Sequence, residues 1–289
     1  MNALTNPANL QYPTPAVGAS LVDLYQQFGC LLNISNEVYH ADRSCVSVSG
    51  LKQLLRSPEH YQNYLHFSRK ETAAMFYGTA LHTRVLEPED YAANYVVTLC
   101  SDKRKKEYTE FEALAAGYRI LTREQATATE RINDKIMAHP SARSLLLGGV
   151  VEQTLIWQDP DTGIWLKIRP DCLNFDFGVC LDLKSTEDAS ASAFRNSCRN
   201  YQYDLQAAVY LEGLRANFNR DFDFAFLAIE KDAPHGAALY GAPEEMLEDG
   251  RMGFRRALRT LRQCLDTGEW PGYQPDGGYD ILDWRKRWW

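Results

Sequence analysis

Residues 164–185 read IWLKIRPDCLNFDFGVCLDLKS, and this stretch predicts the central part of the fold. Apolar side chains alternate with polar ones on both sides of NFDFG, which is typical of two neighbouring strands joined by a turn. The apolar face of the first strand consists of Ile164, Leu166 and Ile168, and its polar face of Lys167, Arg169 and Asp171. The second strand alternates in the same way. Each strand is therefore predicted to have one face in a core and one face available for chemistry.

Two carboxylates come together when the chain folds back at residues 176 and 177. Asp171 then lies roughly opposite Asp182 on the second strand, and Lys184 follows two residues along the same face. Neighbouring carboxylates repel each other unless a cation lies between them, and Mg²⁺ prefers such oxygen ligands. A metal ion there could lower the pKa of a bound water, while the lysine orients that water or stabilises charge on a phosphate. The pattern indicates a metal-assisted hydrolytic site.

Composition narrows the class of protein. The chain has 289 residues, is 45% hydrophobic and carries a formal charge of −7. The acidic balance argues against a protein that coats DNA by general electrostatics, although local basic clusters remain possible. No apolar run is long enough for a membrane helix and the N-terminus lacks a signal-peptide pattern, so we expect no membrane association and a cytoplasmic location. The seven cysteines include no CxxC pair, which favours free thiols over a zinc or iron–sulfur site.

The predicted elements are helices, then strands at 151–158, 164–175 and 179–186, a helical stretch from 189 to 217, a strand at 222–231 and a last helix from about 243 to 267. This order predicts an α/β fold in which helices flank a mixed central β-sheet, with no phosphate-binding glycine loop. Residues 1–40 are predicted to be an N-terminal helical extension, and residues 41–289 the main domain. The main domain is predicted to comprise a helical part at 41–149, a sheet core at 150–242, and a C-terminal helix with an aromatic tail at 243–289.

Several further motifs occur in a fixed order around the two strands. They are Gly78-Thr79-Ala80-Leu81-His82, Leu86-Glu87-Pro88-Glu89, Glu152, Arg169-Pro170-Asp171, Asp182-Leu183-Lys184-Ser185-Thr186 and Gln206-Ala207-Ala208-Val209-Tyr210. Together they resemble the RecE, or exonuclease VIII, family of the PD-(D/E)XK nuclease superfamily. The resemblance runs from about Tyr39 to the tail at residues 270–273.

The resemblance implies a role for each motif. Asp171, Asp182 and the Leu183 carbonyl would bind Mg²⁺, with Mn²⁺ as a possible substitute, and Lys184 would be the catalytic lysine. Glu152 and His82 match accessory positions that bind a second metal or order its waters. Gln206 and Tyr210 match a QxxxY element that supports the site and the DNA phosphate.

Several alternatives stay open. Asp182 and Lys184 could form a surface ion pair, and Asp171 could simply be an acidic residue beside a turn. His82 could be a core histidine, Gln206 and Tyr210 could be ordinary helix packing, and a glutamate at the start of a strand has many other uses.

Basic and hydroxyl side chains are candidates for contact with DNA. The candidates are Lys103, Arg104, Lys105, Lys106, Arg169, Ser185 and Thr186. A second candidate is a stripe of Arg251, Arg255, Arg259 and Arg262 along the last helix. A charge run is more often a solvated surface, and this alternative stays open for both clusters.

The resemblance implies an exonuclease that digests linear double-stranded DNA from 5′ to 3′, leaving single strand for a RecT-like annealing protein. It also implies a homo-oligomeric ring. One alternative is a Cas4-like or repair nuclease of the same superfamily, although clustered cysteines are absent. Another is a non-catalytic DNA-binding protein on the same fold, against which the intact acidic and lysine positions argue.

Overall fold

The computed structural model describes residues 20–28, 32–67 and 70–279. Its helices are α1 (Leu21–Phe28), α2 (Asn36–Ala41), α3 (Val48–Arg56), α4 (Pro58–His66), α5 (Ala73–Leu86), α6 (Pro88–Asn94), α7 (Lys106–Leu114), α8 (Arg123–Ala138), α9 (Pro140–Leu147), α10 (Ala191–Asn200), α11 (Tyr203–Phe218) and α12 (Glu244–Thr267). Its strands are β1 (Val46–Ser47), β2 (Tyr95–Thr98), β3 (Arg119–Thr122), β4 (Val150–Val151), β5 (Leu155–Gln158), β6 (Trp165–Ile168), β7 (Cys172–Asn174), β8 (Val179–Thr186), β9 (Asp223–Glu230) and β10 (Ala237–Gly241).

The central sheet has five strands in the order β10-β9-β8-β7-β4. The β7–β8 and β9–β10 pairs are antiparallel, whereas β8 and β9 are parallel along their whole length. A parallel pair needs a crossover connection, and α10 with α11 provides it here. The prediction of a mixed sheet flanked by helices is therefore confirmed.

Helices cover both faces of this sheet, and the alternation along β8 assigns its side chains to them. Cys180 belongs to a core cluster that includes residues of α3, α11 and α12. Leu181 and Leu183 belong to a second cluster, which α5, α8 and α9 close from the other side. The predicted division of β8 into two faces is confirmed, and it directs Asp182 and Lys184 away from the second cluster.

The predicted first strand is divided in two. Residues of β6 pair with β1 and β5 in a separate three-stranded sheet, while β7 joins the central sheet. The interruption falls at Arg169-Pro170-Asp171, where proline has no N–H to donate to a sheet. The prediction of one continuous strand was wrong at this point, and Asp171 consequently lies in the junction between two sheets.

The N-terminal helices pack on the rest of the chain. Leu21 and Leu24 of α1 share a small core cluster with Ile156 of β5. Lys167, which is buried, donates hydrogen bonds to the carbonyl oxygens of Tyr39 and Asp42 at 2.6 and 2.8 Å. Helix α2 spans the boundary that was predicted at residue 40, and that division remains a prediction.

The strand predicted at 151–158 is also divided, into β4 and β5, which belong to different sheets. Four short strands were not predicted, namely β1, β2, β3 and β10. Two or four residues are too few to show a period in the sequence, which explains why β1, β2 and β3 were missed. The helical stretch predicted from 189 to 217 is broken into α10 and α11 by a turn at residues 201 and 202. Among the described helices, none combines the length and the apolar character that crossing a membrane requires.

Candidate active site

The candidate site lies where the junction before β7 meets β8. Cys172 of β7 is paired with Leu181 of β8, so continuing the antiparallel register places Asp171 opposite Asp182. The Leu183 amide donates a hydrogen bond of 2.6 Å to Asp171 Oδ2. This hydrogen bond joins the Asp171 side chain to β8 at the point where the pairing of β7 with β8 ends. The metal contact predicted for the Leu183 carbonyl remains a prediction.

Three predicted site residues from distant parts of the chain converge here. One ligand atom from each of His82, Glu152 and Asp171 can be chosen so that all lie within 4.8 Å of one another. His82 lies on α5, and its Nδ1 is 3.6 Å from Asp171 Oδ2. An imidazole and two carboxylates at this spacing could hold a divalent metal ion.

Glu152 is held in an uncommon backbone conformation. It follows β4 with a φ of 50°, in the left-handed region that non-glycine residues rarely adopt. Its amide donates to the Asp171 carbonyl oxygen at 3.3 Å, and its own carbonyl accepts from Arg169 Nε at 2.9 Å. These contacts fix the backbone that presents the Glu152 carboxylate to Asp171.

Arg169 was predicted to contact DNA, but it is buried. Its Nε lies 3.6 Å from Glu152 Oε2, and its terminal nitrogens donate to the Ile34 carbonyl and to Asn36 Oδ1. All of these partners belong to the protein. In this structure Arg169 therefore positions Glu152, and its contact with DNA remains a prediction.

Asp182 is almost completely buried and has two partners. Gln206 Nε2 donates to its Oδ1 at 2.6 Å, and Lys184 Nζ lies 2.5 Å from its Oδ2 as an ion pair. Lys184 retains 16% side-chain exposure, whereas Asp182 retains 1%. Lys184 is thus the more accessible member of this ion pair.

Helix α11 supports the site through both predicted members of its QxxxY element. Gln206 and Tyr210 are one turn apart, so their side chains leave the helix on the same side. The Tyr210 hydroxyl donates to the Arg169 carbonyl oxygen at 3.1 Å and is buried. Gln206 thus fixes Asp182, and Tyr210 fixes the segment that leads into Asp171. The contact with a DNA phosphate that was also predicted for this element remains a prediction.

Two carboxyl groups of the site, those of Glu152 and Asp182, have raised pKa values. Burial, followed by repulsion from Asp171, raises the pKa of Glu152 to about 8. Burial raises the pKa of Asp182 to about 6, against the opposing effect of Lys184. Because a bound cation would relieve both effects, the residues present fit a divalent metal ion.

Two residues near Lys184 were not predicted. Lys184 Nζ lies 4.7 Å from the centre of the Tyr203 ring, and Lys52 Nζ of α3 lies 5.5 Å from the same ring. For Lys184 burial opposes the charge, but Asp182 and Asp171 outweigh it and raise its pKa. Lys52 is 132 positions away in the sequence from Lys184 and lies in no recognisable motif, so only the fold could reveal it.

The other residues that were predicted to contact DNA are not among the residues that surround Lys184. Arg104 pairs with Asp102 and Lys106 with Glu110, and both basic side chains are highly exposed. Ser185 and Thr186 complete β8 beyond Lys184 and are half-buried. The segment at 103–106, a turn followed by the first residue of α7, is therefore accessible to a ligand, and its binding to DNA remains a prediction.

The arginine stripe on α12 is not a uniform surface. Arg255 forms ion pairs with the buried Asp159 and with Glu212. Arg251 and Arg262 pair with carboxylates of their own helix. The four side chains were predicted to form one basic face, but Arg255 serves an internal contact. The tryptophan-rich tail at 284–289 lies outside the described residues.

The mixed sheet, with Asp171 at its junction and Asp182-Leu183-Lys184 on its central strand, defines a PD-(D/E)XK-type fold. Residues 47–279 match the family described as "PDDEXK-like domain of unknown function (DUF3799)". The chain belongs to this family. Comparison with curated protein sequences gives no match.

Solved structures give the same fold class. A candidate exonuclease from Eubacterium rectale superposes with a TM-score of 0.61 at 17% identity, covering 84% of this chain and 91% of that one. At this identity the likeness shows the fold alone. A phage-related exonuclease from Haemophilus somnus covers 78% of this chain and 96% of its own at 10% identity, but its TM-score is 0.31 and it carries no argument.

Proposed function

We propose that this protein is a metal-dependent DNA exonuclease that hydrolyses phosphodiester bonds at the ends of linear duplex DNA. The observation that carries the proposal is the convergence of His82, Glu152 and Asp171 beside the buried Asp182–Lys184 pair. Membership of a PDDEXK-like family and the fold of the E. rectale relative, which is described as a candidate exonuclease, support it.

The chain's own residues have separable tasks in this reaction. A divalent ion held by His82, Glu152 and Asp171 would supply an activated water and neutralise charge on the phosphate. Asp182 and the Leu183 carbonyl are the further ligands that the resemblance implies for this ion. Asp182 keeps Lys184 charged, and Lys184 orients the attacking water or stabilises the charge that develops on the phosphate. Gln206 prevents Asp182 from turning away, because it occupies the other carboxylate oxygen.

The finer features follow the resemblance to RecE-like enzymes. They are Mg²⁺ as the metal, with Mn²⁺ as a substitute, digestion from 5′ to 3′, assembly into a homo-oligomeric ring and delivery of single strand to a RecT-like annealing protein. Within the described residues, the groups of histidine, cysteine and acidic side chains that could hold a metal include no cysteine. This gives no support to the Cas4-like alternative.

A digestion assay with labelled ends tests the proposal. Purified protein is incubated with linear duplex carrying a label at either the 5′ or the 3′ end, and with covalently closed circular duplex, in Mg²⁺, in Ca²⁺ and in EDTA. We expect digestion of the linear substrate only, in Mg²⁺ only, with early release of the 5′ label. Cleavage of the circle would indicate an endonuclease, and DNA binding without cleavage in any divalent metal would favour the non-catalytic alternative.

A further inference from the structure

An exposed aromatic ring lies next to the candidate site but takes no part in the chemistry proposed above. The side chain of Tyr201 is 62% exposed, although tyrosine carries a large apolar surface. Its ring stacks on Tyr203 with 5.7 Å between centroids and 28° between planes. Tyr203 in turn lies under the Lys184 ammonium group. Two contacts therefore link the exposed ring to the lysine of the site.

The backbone holds Tyr201 in place. It ends α10, and its amide donates to the Ser197 carbonyl oxygen at 2.9 Å. The next residue, Gln202, adopts a left-handed conformation with a φ of 52°, and α11 begins immediately after it. Because two helices fix this turn, the ring is presented in a defined direction rather than on a flexible loop.

Lys52 joins the same surface from another helix. Its Nζ donates to the Tyr201 carbonyl oxygen at 2.6 Å and lies over the Tyr203 ring. Across the part of the chain that the structure describes, Lys52 forms no ion pair with a carboxylate. Burial lowers the pKa of Lys52 to about 8, and repulsion from Lys184 adds to the effect. An anion placed near both lysines would relieve that repulsion.

A surface with an exposed aromatic ring and a lysine ammonium group suits a ligand that has both a flat ring and a negative charge. A nucleotide has both. Every base has a flat face that stacks on an aromatic side chain. The phosphate of the nucleotide is negatively charged and could pair with Lys52, which has no carboxylate partner among the described residues. A base inside a duplex is stacked on both sides, whereas a base at a frayed end is free to stack on the protein. Because Tyr201 and Lys52 lie close to Lys184, a nucleotide bound to them would lie next to the phosphodiester bond that is cleaved.

We propose that Tyr201 and Lys52 form a platform for the end nucleotide of the DNA strand being cleaved, with the Tyr201 ring stacked on its base and the Lys52 ammonium group on its phosphate. This inference rests on the proposed nuclease function. Tyr201 and Lys52 act as positioning residues, since neither touches the proposed metal ligands. The platform favours DNA ends over internal duplex, because only an end offers an unstacked base.

The experiment measures binding and base stacking without cleavage. Linear duplex carrying one 2-aminopurine at the end of either strand is titrated with protein in Ca²⁺, and both affinity and fluorescence are recorded. We expect wild-type protein to change the fluorescence of one of the two end positions. Tyr201→Ala should abolish that change and weaken binding by roughly 5- to 150-fold, whereas Tyr201→Phe should retain both.

A salt series separates the contribution of Lys52. Lys52→Ala should reduce the slope of log affinity against log salt by about 0.7 to 0.9, the value for one phosphate contact, and Lys52→Arg should retain the slope. Phe177→Ala and Arg220→Ala are matched controls. Phe177 is also 62% exposed, and both residues lie beyond the opposite end of β8, so these variants should behave as wild type.

The outcomes distinguish the platform from the proposed function. If wild type digests linear DNA while Tyr201→Ala matches Phe177→Ala in affinity and fluorescence, the platform is overturned and the nuclease stands. If wild type binds with the fluorescence change but cleaves in no divalent metal, the platform is supported and the nuclease fails. If Tyr201→Ala alters the oligomeric state in sedimentation without altering DNA binding, the ring belongs to a subunit contact and the platform is overturned.

Discussion

Asp182 connects the buried and exposed parts of the candidate site. One of its oxygens is fixed by Gln206 and the other is paired with Lys184, so little of the carboxylate remains for solvent. A buried carboxylate with no cation would be protonated near neutral pH, since burial raises its pKa. The ion pair therefore keeps Asp182 ionised and holds the Lys184 side chain beside it.

Replacement of Lys184 tests its proposed role in the transition state. Lys184→Ala should reduce the single-turnover rate on the order of 10²-fold or more, because a positioned charge is lost where negative charge develops. Binding of linear duplex in Ca²⁺ should change much less. Thermal denaturation of the variant serves as the folding control. A wild-type rate combined with weaker binding would make Lys184 a phosphate clamp instead.

Glu152 gives the site a measurable pH dependence. Its pKa is raised from the ordinary 4.5 to about 8, so the folded metal-free protein binds a proton that the unfolded chain releases above about 4.5. The carboxyl group therefore contributes less and less to stability as the pH rises from about 4.5 to about 8. A metal ion needs the carboxylate, and its binding should release close to one proton at pH 7.

Isothermal titration calorimetry in buffers of different ionisation enthalpy measures the number of protons released when the metal binds. We expect Mn²⁺ binding at pH 7 to release close to one proton in wild type, and the affinity for Mn²⁺ to increase with pH up to about 8. Glu152→Gln should bind Mn²⁺ more weakly and show a smaller dependence on the buffer. Equal proton release in both proteins would mean that Glu152 does not receive the metal.

At the scale of elements, α12 packs closely against α11, the helix that carries Gln206 and Tyr210, with a close approach at Gly250. A Cβ atom at Gly250 of α12 would overlap the backbone carbonyl of Asp204 on α11, which also carries Gln206 and Tyr210. In contrast, a Cβ at Gly253 on the same helix would lie 3.7 Å from Leu205, an ordinary contact. The two glycines therefore have different reasons for being present.

Alanine at each glycine tests this difference. Gly250→Ala should lower the free energy of unfolding by about 1 to 3 kcal/mol, because the helices must move apart. Gly253→Ala should raise it by up to about 1 kcal/mol, since alanine favours a helix interior. Urea denaturation of both variants measures the effects. Equal changes would show that the α11–α12 contact tolerates a side chain at Gly250.

The sequence predicted best those side-chain positions that depend on the periodicity of a single strand or helix. Alternation along β8 was enough to place Asp182 and Lys184 on one face, and helical spacing was enough to pair Gln206 with Tyr210. The period of one element does not show which distant segments meet. The family resemblance indicated His82 and Glu152, but nothing in the sequence indicated the contact of Lys52 with the turn at Tyr201. The sequence also could not predict the burial of Arg169, because a basic residue beside an acidic site has the same sequence pattern whether it faces DNA or is buried.

At the scale of the molecule, an acidic chain must bind a polyanion through local positive surfaces. The segment at 103–106 is the densest basic cluster in the sequence, but Arg104 and Lys106 already pair with nearby carboxylates. Such exposed pairs are weak, so phosphates can replace them. The strength of the segment as a DNA contact therefore depends on how many of its four charges reach the backbone.

A fourfold alanine variant of Lys103, Arg104, Lys105 and Lys106 measures that number. Each lost phosphate contact should reduce the salt slope of duplex binding by about 0.9, so four contacts would reduce it by about 3 to 4. Metal-dependent cleavage should persist at low salt. Coincident slopes in Ca²⁺ would identify the segment as a solvated surface.

We expect Asp182 and Lys184 to perform metal-dependent hydrolysis of DNA ends together with the neighbouring carboxylates of Glu152 and Asp171. The most direct measurement is the rate of nucleotide release from linear duplex in Mg²⁺ by wild type and by Asp182→Asn, each confirmed as folded and able to bind DNA in Ca²⁺. The substitution keeps the shape of the side chain and removes the charge. We predict release by wild type and none above background by Asp182→Asn, whereas release by the variant at the wild-type rate would contradict the assignment.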